Sequence, residues 1–171
     1  MSDPNGEGCL QGRVWKLDHD ISTDVLSPGA YAIAPVEVRK LHVLESVNPA
    51  FASEVEPGDV IVAGRNFGCG SSRETAPENL KALGVACVCA ESFARLFMRN
   101  AIAVGLPVLV CVGVHQAFDD GDGIAIELST GRVRSVDDSI DLQGESLPEE
   151  MRDILAAGGI LALLRTRRDT G

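Results

Sequence analysis

Three short apolar runs, separated by two helix-patterned stretches, restrict what this chain can fold into more than any other feature. Val60-Ile61-Val62-Ala63, Val85-Ala86-Cys87-Val88-Cys89-Ala90 and residues 106–112 are each of strand length and almost wholly apolar. Uninterrupted runs of that length read as strands buried on both faces. Residues 76–83, between the first two runs, carry a helical pattern, with Pro77 acceptable in a first turn and Gly84 as a stop signal. Between the second and third runs, Ser92 stands where a cap would precede a helix with apolar positions Phe93, Leu96, Phe97 and Ala101, closed by Gly105. Strand, helix, strand, helix, strand implies an α/β fold with a partly parallel sheet and crossover helices.

The chemistry is concentrated in the loop after the first run, Gly64-Arg65-Asn66-Phe67-Gly68-Cys69-Gly70-Ser71-Ser72-Arg73-Glu74. A strand delivering a Gly-rich polar loop to a helix start is a common way to present backbone N–H groups and side chains to an anion. Ser71-x-x-Glu74 and Thr75-x-x-Glu78 also match the capping box, which needs only one hydroxyl and one carboxylate. Capping explains neither Gly-x-Gly nor the second serine and the arginine. Residues 71–74 therefore read as a tight functional turn before the helix. The Walker phosphate loop is excluded, because no lysine lies between Lys40 and Lys81. A dinucleotide fingerprint begins at Gly68-Cys69-Gly70, but Arg73 occupies the place of its third glycine.

Composition narrows the function classes. A chain of 171 residues, 45% hydrophobic, can form one domain with a sizeable core. A net charge of −10 argues against nucleic-acid binding, and no apolar run approaches membrane-spanning length. The polar, acidic N-terminus is unlike a signal peptide, so a cytoplasmic location is expected. Cys9, Cys69, Cys87, Cys89 and Cys111 are odd in number and scattered, which suggests neither a disulfide framework nor a complete iron–sulfur ligand set. Cys87 and Cys89 share one face of a strand and read as buried thiols.

Elsewhere, residues 1–11 read as a flexible tail and 12–171 as one domain. Arg13-Val14-Trp15-Lys16-Leu17 alternates as a strand and leads into a polar stretch, residues 18–29, which ends in the turn signal Pro28-Gly29. Asp18, His19 and Asp20 read as a solvated loop with Asp turns rather than a metal site. Residues 35–47 have helical spacing at Val38, Leu41 and Val43/Leu44 and predict one helix. Residues 124–128 and 132–135 predict a hairpin. An amphipathic helix should begin near Pro148, and Gly158-Gly159 should split it from 160–164, leaving 165–168 as a basic tail.

The string Gly68-Cys69-Gly70-Ser71-Ser72-Arg73-Glu74, followed by Ala90-Glu91-Ser92-Phe93-Ala94-Arg95 and Gly105-Leu106-Pro107-Val108, resembles the swivel domain of the aconitase superfamily. Length and ending resemble the separate small subunits of the 3-isopropylmalate dehydratase type. The resemblance covers roughly residues 12–165 and implies a single-domain swivelling β/β/α fold. It implies the small subunit of a two-subunit hydro-lyase that isomerises an alkyl-substituted malate, first of all 2-isopropylmalate to 3-isopropylmalate through isopropylmaleate in leucine biosynthesis. A [4Fe–4S] cluster, carried by a large subunit in a heterodimer or heterotetramer, would activate the leaving hydroxyl as a Lewis acid.

By the same resemblance Ser71 is the catalytic base, as an alkoxide stabilised by loop N–H groups, a helix start and Arg73. Ser72 and Arg73 hold a carboxylate of a small dicarboxylate substrate, and Asp24, brought to the cleft by Thr23-Asp24, is the second catalytic residue, orienting or pairing with a charged group in the partner's half of the site. Arg95 is given a structural role. Tyr31, Ala32 and Ile33 belong to the loop that reads the variable substituent. That loop has no arginine before Arg39, and an apolar loop suits an alkyl group better than an extra carboxylate. Tyr31 is followed by alanine where many isopropylmalate enzymes carry leucine, so 2,3-dimethylmalate and homoaconitase types are alternatives. Two further classes are a stand-alone enzyme with Cys69 as nucleophile and a non-catalytic binding module of the same fold.

Overall fold

The computed structural model describes residues 8–171. Strand β1 (Cys9–Lys16) is followed by one-turn helix α1 (Thr23–Leu26), a 3-10 turn at Gly29–Tyr31, α2 (Val36–Arg39), a second 3-10 turn at Lys40–His42, and α3 (Phe51–Glu54). The central unit is β2 (Val60–Ala63), α4 (Thr75–Ala82), β3 (Cys87–Ala90), α5 (Arg95–Val104) and β4 (Val108–Val110). The remainder comprises α6 (Val114–Ala117), β5 (Gly123–Glu127), β6 (Arg132–Ser135), β7 (Asp141–Gln143), α7 (Glu149–Ala157) and α8 (Ile160–Asp169).

All seven strands form one sheet in the order β4-β3-β2-β1-β5-β6-β7. The β4–β1 half is parallel and the β1–β7 half antiparallel. β1 joins the halves by changing partner along its length. Cys9 to Arg13 pair with β5, whereas Val14 to Lys16 pair with β2. Gly12 stands at the crossing, where any Cβ would run into the carbonyl of Gly58. Every residue of β2 and β3 is buried, as expected for parallel strands covered on both faces. The core continues through Phe51, Phe67, Phe97 and Phe118, and burial of each ring is worth about 1.5–3 kcal/mol.

Among the described residues one charged side chain is buried in this frame. Asp59, before β2, accepts from the Trp15 indole at 2.8 Å, Arg13 Nη2 at 3.0 Å and the Glu56 amide at 2.9 Å. Burial pushes its pKa up, but these three donors outweigh that and hold it below the ordinary carboxylate value.

Several expectations change. Cys9 to Gln11 belong to β1 rather than a tail, because their register with Glu127, Ile126 and Ala125 completes the antiparallel half. The rest of the expected tail, residues 1–7, lies outside the described residues. Residues 35–47 are not one helix but α2, a 3-10 turn and an irregular corner in which Leu44 takes a positive φ of 61°. Val38 and Leu41, two of the apolar positions expected to face inward, are exposed, while Val43 and Leu44 are buried. The Leu44 amide donates to the Val25 carbonyl at 2.8 Å, so tertiary pairing overrides local periodicity there. Neither Ser71 nor Ser92 caps a helix: the N-cap positions of α4 and α5 are Glu74 and Ala94, and neither makes a side-chain cap hydrogen bond. Leu96 is exposed, β7 is an unanticipated strand, and Arg165 to Arg168 belong to α8.

Candidate functional site

The Gly64–Glu74 loop leaves β2 at its C-terminal end and is laced to segments on both sides. On one side, Arg65 donates its amide to His19 Nδ1 at 2.7 Å, Gly68 to the Ile21 carbonyl at 2.7 Å, and Thr23 donates its own amide to the Cys69 carbonyl at 2.8 Å. On the other, the Asn66 amide donates to Ser92 Oγ at 2.8 Å, and the Ala94 amide to the Phe67 carbonyl at 2.9 Å. Ser92 therefore serves the loop rather than the helix. Asn66 Nδ2 also reaches Asp20 Oδ1 at 3.0 Å, so His19 and Asp20 tether the loop.

Below the loop, Phe67 is fully buried and meets Phe93 and Phe97 edge-on. Gly68, with φ +82°, lies directly on Phe97, and a Cβ there would enter the ring. An aromatic floor and two hydrogen-bonded walls leave the tip little freedom. That tip presents Ser71 and Ser72 to solvent.

Arg73 is the charged centre. Its Nη2 forms an ion pair with Asp24 Oδ1 at 2.6 Å, and its Nη1 donates to the Ser27 carbonyl at 2.6 Å. The side chain is 30% exposed, Asp24 67%, so both remain open to a ligand. Since a guanidinium has five N–H donors, two contacts leave capacity for a carboxylate. Asp24, expected to face charge across the cleft, pairs first with this chain's own arginine.

The structure thus joins Asp24 and Arg73 directly and places them with Ser71 and Ser72 on one exposed edge. Tyr31, Ala32 and Ile33 lie on the segment after Ser27. Tyr31 stacks on His42 with ring centroids 3.5 Å apart, whereas Ala32 and Ile33 are exposed. Cavities of about 400 and 500 Å³ run along α5, α7 and α8, lined by Asn100, Val104 and Ile160 in one and Met98, Ile102 and Met151 in the other. The Ser71–Arg73 tip lines neither of these two.

Four further side chains support the loop. Thr23 Oγ1 donates to the Ser71 carbonyl at 2.7 Å and is almost fully buried. Ser27 Oγ and Thr75 Oγ1 lie 2.6 Å apart, tying α1 to α4. Asn100 Nδ2 reaches Ser72 Oγ at 3.3 Å from the middle of α5. The Thr23-Asp24 pair was a signal for the first, while no sequence signal marks Asn100. Arg95 is exposed on the rim of the cavity of about 500 Å³.

Among the described residues the thiols are not gathered into a set that could ligate a metal cluster. Cys87, Cys89 and Cys111 are buried in or beside β3 and β4, and burial raises the Cys87 pKa to about 12, opposing the thiolate a metal requires. Among the described residues no group of three or more His, Cys, Asp or Glu is placed to hold a metal ion.

Residues 34–111 match the aconitase C-terminal domain family. The small subunit 1 of 3-isopropylmalate dehydratase from Methanopyrus kandleri is 51% identical over 158 residues, spanning 91% of this chain and 92% of that one. The chain belongs to the 3-isopropylmalate dehydratase small-subunit family. Within this family, the isopropylmalate/citramalate isomerase small subunit of Methanocaldococcus jannaschii is 44% identical over 92% of this chain and 95% of its own. The methanogen homoaconitase small subunit of Methanothermobacter thermautotrophicus is 43% identical over 96% of each. The crystal structure of 3-isopropylmalate dehydratase (LeuD) from Methanocaldococcus jannaschii superposes with a TM-score of 0.89 at 36% identity, covering 95% of this chain and 97% of that one. The expected fold, with its partly parallel sheet, is therefore the family's.

Proposed function

We propose that this chain is the small subunit of an iron–sulfur hydro-lyase that interconverts 2-isopropylmalate and 3-isopropylmalate through isopropylmaleate, in leucine biosynthesis and in the cytoplasm. The observation that carries the reading is the exposed Ser71-Ser72-Arg73 tip, held on two sides and tied to Asp24. An open edge of this kind is half a site, and a large subunit would supply the other half.

The [4Fe–4S] cluster belongs on that partner, because the thiols of this chain do not fit its ligation. This chain's share is proton transfer and binding. Ser71 takes the C–H proton next to a substrate carboxylate; the charge of Arg73 and the positive end of α4, which starts a few residues later, favour its anionic form. Ser72 and Arg73 hold the carboxylate, with Asp24 orienting the guanidinium. Tyr31, Ala32 and Ile33 face the substituent.

An alkyl substituent is favoured over a third carboxylate. Residues 30–35 hold no cation, and Arg39, the next one along, is already bonded to Glu78 at 3.1 Å, Asn79 at 3.2 Å and the Ala34 carbonyl at 3.2 Å. A methyl-substituted malate is the second substrate to test, given the name of the 44% identical relative.

The test is anaerobic purification of the tagged chain from its own cells, with iron and sulfide measured in whatever accompanies it. A larger, cluster-bearing partner and isomerase activity that falls about 10²–10⁴-fold in Ser71→Ala are expected. Activity of the isolated chain, or full activity of the Ser71→Ala pair, would overturn the reading.

A further inference from the structure

Among the described residues Asn79 is the one fully buried asparagine, and its position is unusual. It lies on the second turn of α4 with no exposed surface. Its two amide ends reach two different segments. Nδ2 donates to the Leu26 carbonyl at 3.2 Å, and Oδ1 accepts from Arg39 Nε at 3.2 Å. The assignment of N and O follows from the partners, since a carbonyl only accepts and a guanidinium only donates.

Leu26 ends α1, which carries Asp24, and the next residue, Ser27, is the carbonyl partner of Arg73. Arg39 ends α2 and reaches back through Nη1 to the Ala34 carbonyl at 3.2 Å, immediately after the exposed Ala32-Ile33 tip. Its Nη2 meets Glu78, the neighbour of Asn79 on α4, at 3.1 Å. The carboxylate-binding segment and the substituent-facing segment are thus joined through one buried side chain and one guanidinium.

We propose that Asn79 and Arg39 act together as a positioning pair that sets the spacing between the carboxylate-binding arginine and the Tyr31–Ala32–Ile33 segment, and thereby the size of substituent the enzyme prefers. This rests on the functional reading above and adds the residues that hold its specificity loop in place. Neither residue touches the substrate. The loop is held locally by the Tyr31–His42 stack and by its own turn hydrogen bonds, from the Tyr31 amide to the Pro28 carbonyl and from the Ala34 amide to the Tyr31 carbonyl, whereas Ala32 and Ile33 are exposed. The Arg39–Asn79 pair is what ties this turn to α4 and the segment that ends in Ser27. An apolar contact discriminates by shape only if its wall stays in place, and each methylene read by such a wall is worth about 10–200-fold in kcat/KM.

The experiment uses the reconstituted pair with its large subunit and compares kcat/KM for isopropyl- and methyl-substituted malates. Asn79→Leu keeps the volume and removes both hydrogen bonds. Arg39→Met keeps the stem and removes all three contacts. The isopropyl-to-methyl ratio should fall about tenfold or more in either variant, mainly through a higher KM for the isopropyl substrate. Arg39→Lys should restore part of the ratio by re-pairing with Glu78. A ratio equal to that of the unaltered pair overturns the proposal, as does an equal loss on both substrates, which is what a merely structural role would produce. Should Asn79→Leu not fold, Arg39→Met and Arg39→Lys decide by the same criterion. An unaltered pair inactive on both substrates would overturn the functional reading, and this proposal with it; an active pair with an unmoved ratio overturns this proposal alone.

Discussion

Replacing Arg73 by lysine separates a catalytic reading of the loop from a structural one. The arginine reaches Asp24 through Nη2 and the Ser27 carbonyl through Nη1, both at 2.6 Å. A lysine has one nitrogen and cannot reproduce that fork. The structural consequence should be small. With the two side chains 30% and 67% exposed, an ion pair of this kind contributes about 0.2–1 kcal/mol. That corresponds to a fall in Tm of about 4 °C or less for a chain of this size. The functional consequence should be large. Losing bidentate, charge-assisted hydrogen bonds to a carboxylate costs about 1.5–3 kcal/mol, or roughly ten- to 150-fold in kcat/KM. The assay is thermal unfolding of the isolated chain beside steady-state kinetics of the reconstituted pair. An unchanged kcat/KM would refute the reasoning. So would a fall in Tm well beyond 4 °C with full activity per folded molecule, because Arg73 would then be a clamp for Asp24 and Ser27.

Two further outcomes follow from packing and charge. Gly68→Ala forces a Cβ into the Phe97 ring at a φ of +82°, and should destabilise the chain by about 1–3 kcal/mol and lower activity by displacing the Ser71 tip; denaturant unfolding that matches the unaltered protein would contradict this. Asp59 has a folded-state pKa below its ordinary value of 3.8, so its contribution is complete above that value and is lost as pH falls through the folded pKa. The stability gap between the unaltered chain and Asp59→Asn should therefore be widest near neutral pH and narrow below about pH 4; a gap constant from pH 7 to 3 would show that the charge is not what Asp59 contributes.

Much of the parallel half was legible because its signals are local and redundant. Val60 to Ala63 and Cys87 to Ala90 are apolar at every position, which only a doubly covered strand needs, and the glycines around them mark where strands and helices end. Residues 35–47 misled because their helical spacing was genuine, but Val43 and Leu44 are drawn inward by the Leu44–Val25 hydrogen bond rather than by a helix face. Ser92 misled in a related way. Its hydroxyl suits a cap, yet Asn66, distant in sequence and adjacent in space, takes it.

The functional loop divides along the same line. The order Gly68-Cys69-Gly70-Ser71-Ser72-Arg73, the strand before it and the helix after it could be read from residue types alone, since glycine tolerance and apolar patterning are properties of short segments. Which groups Arg73 would meet, that Thr23 would grip the Ser71 carbonyl, and that Asn79 would stand between two recognition segments depended on bringing residues 23–39 against the first turns of α4. Those contacts join residues about fifty positions apart or cross between segments, and no periodicity records them. The tertiary fold decides them, because a buried amide or a half-buried guanidinium must find donors and acceptors wherever the packed backbone has placed them.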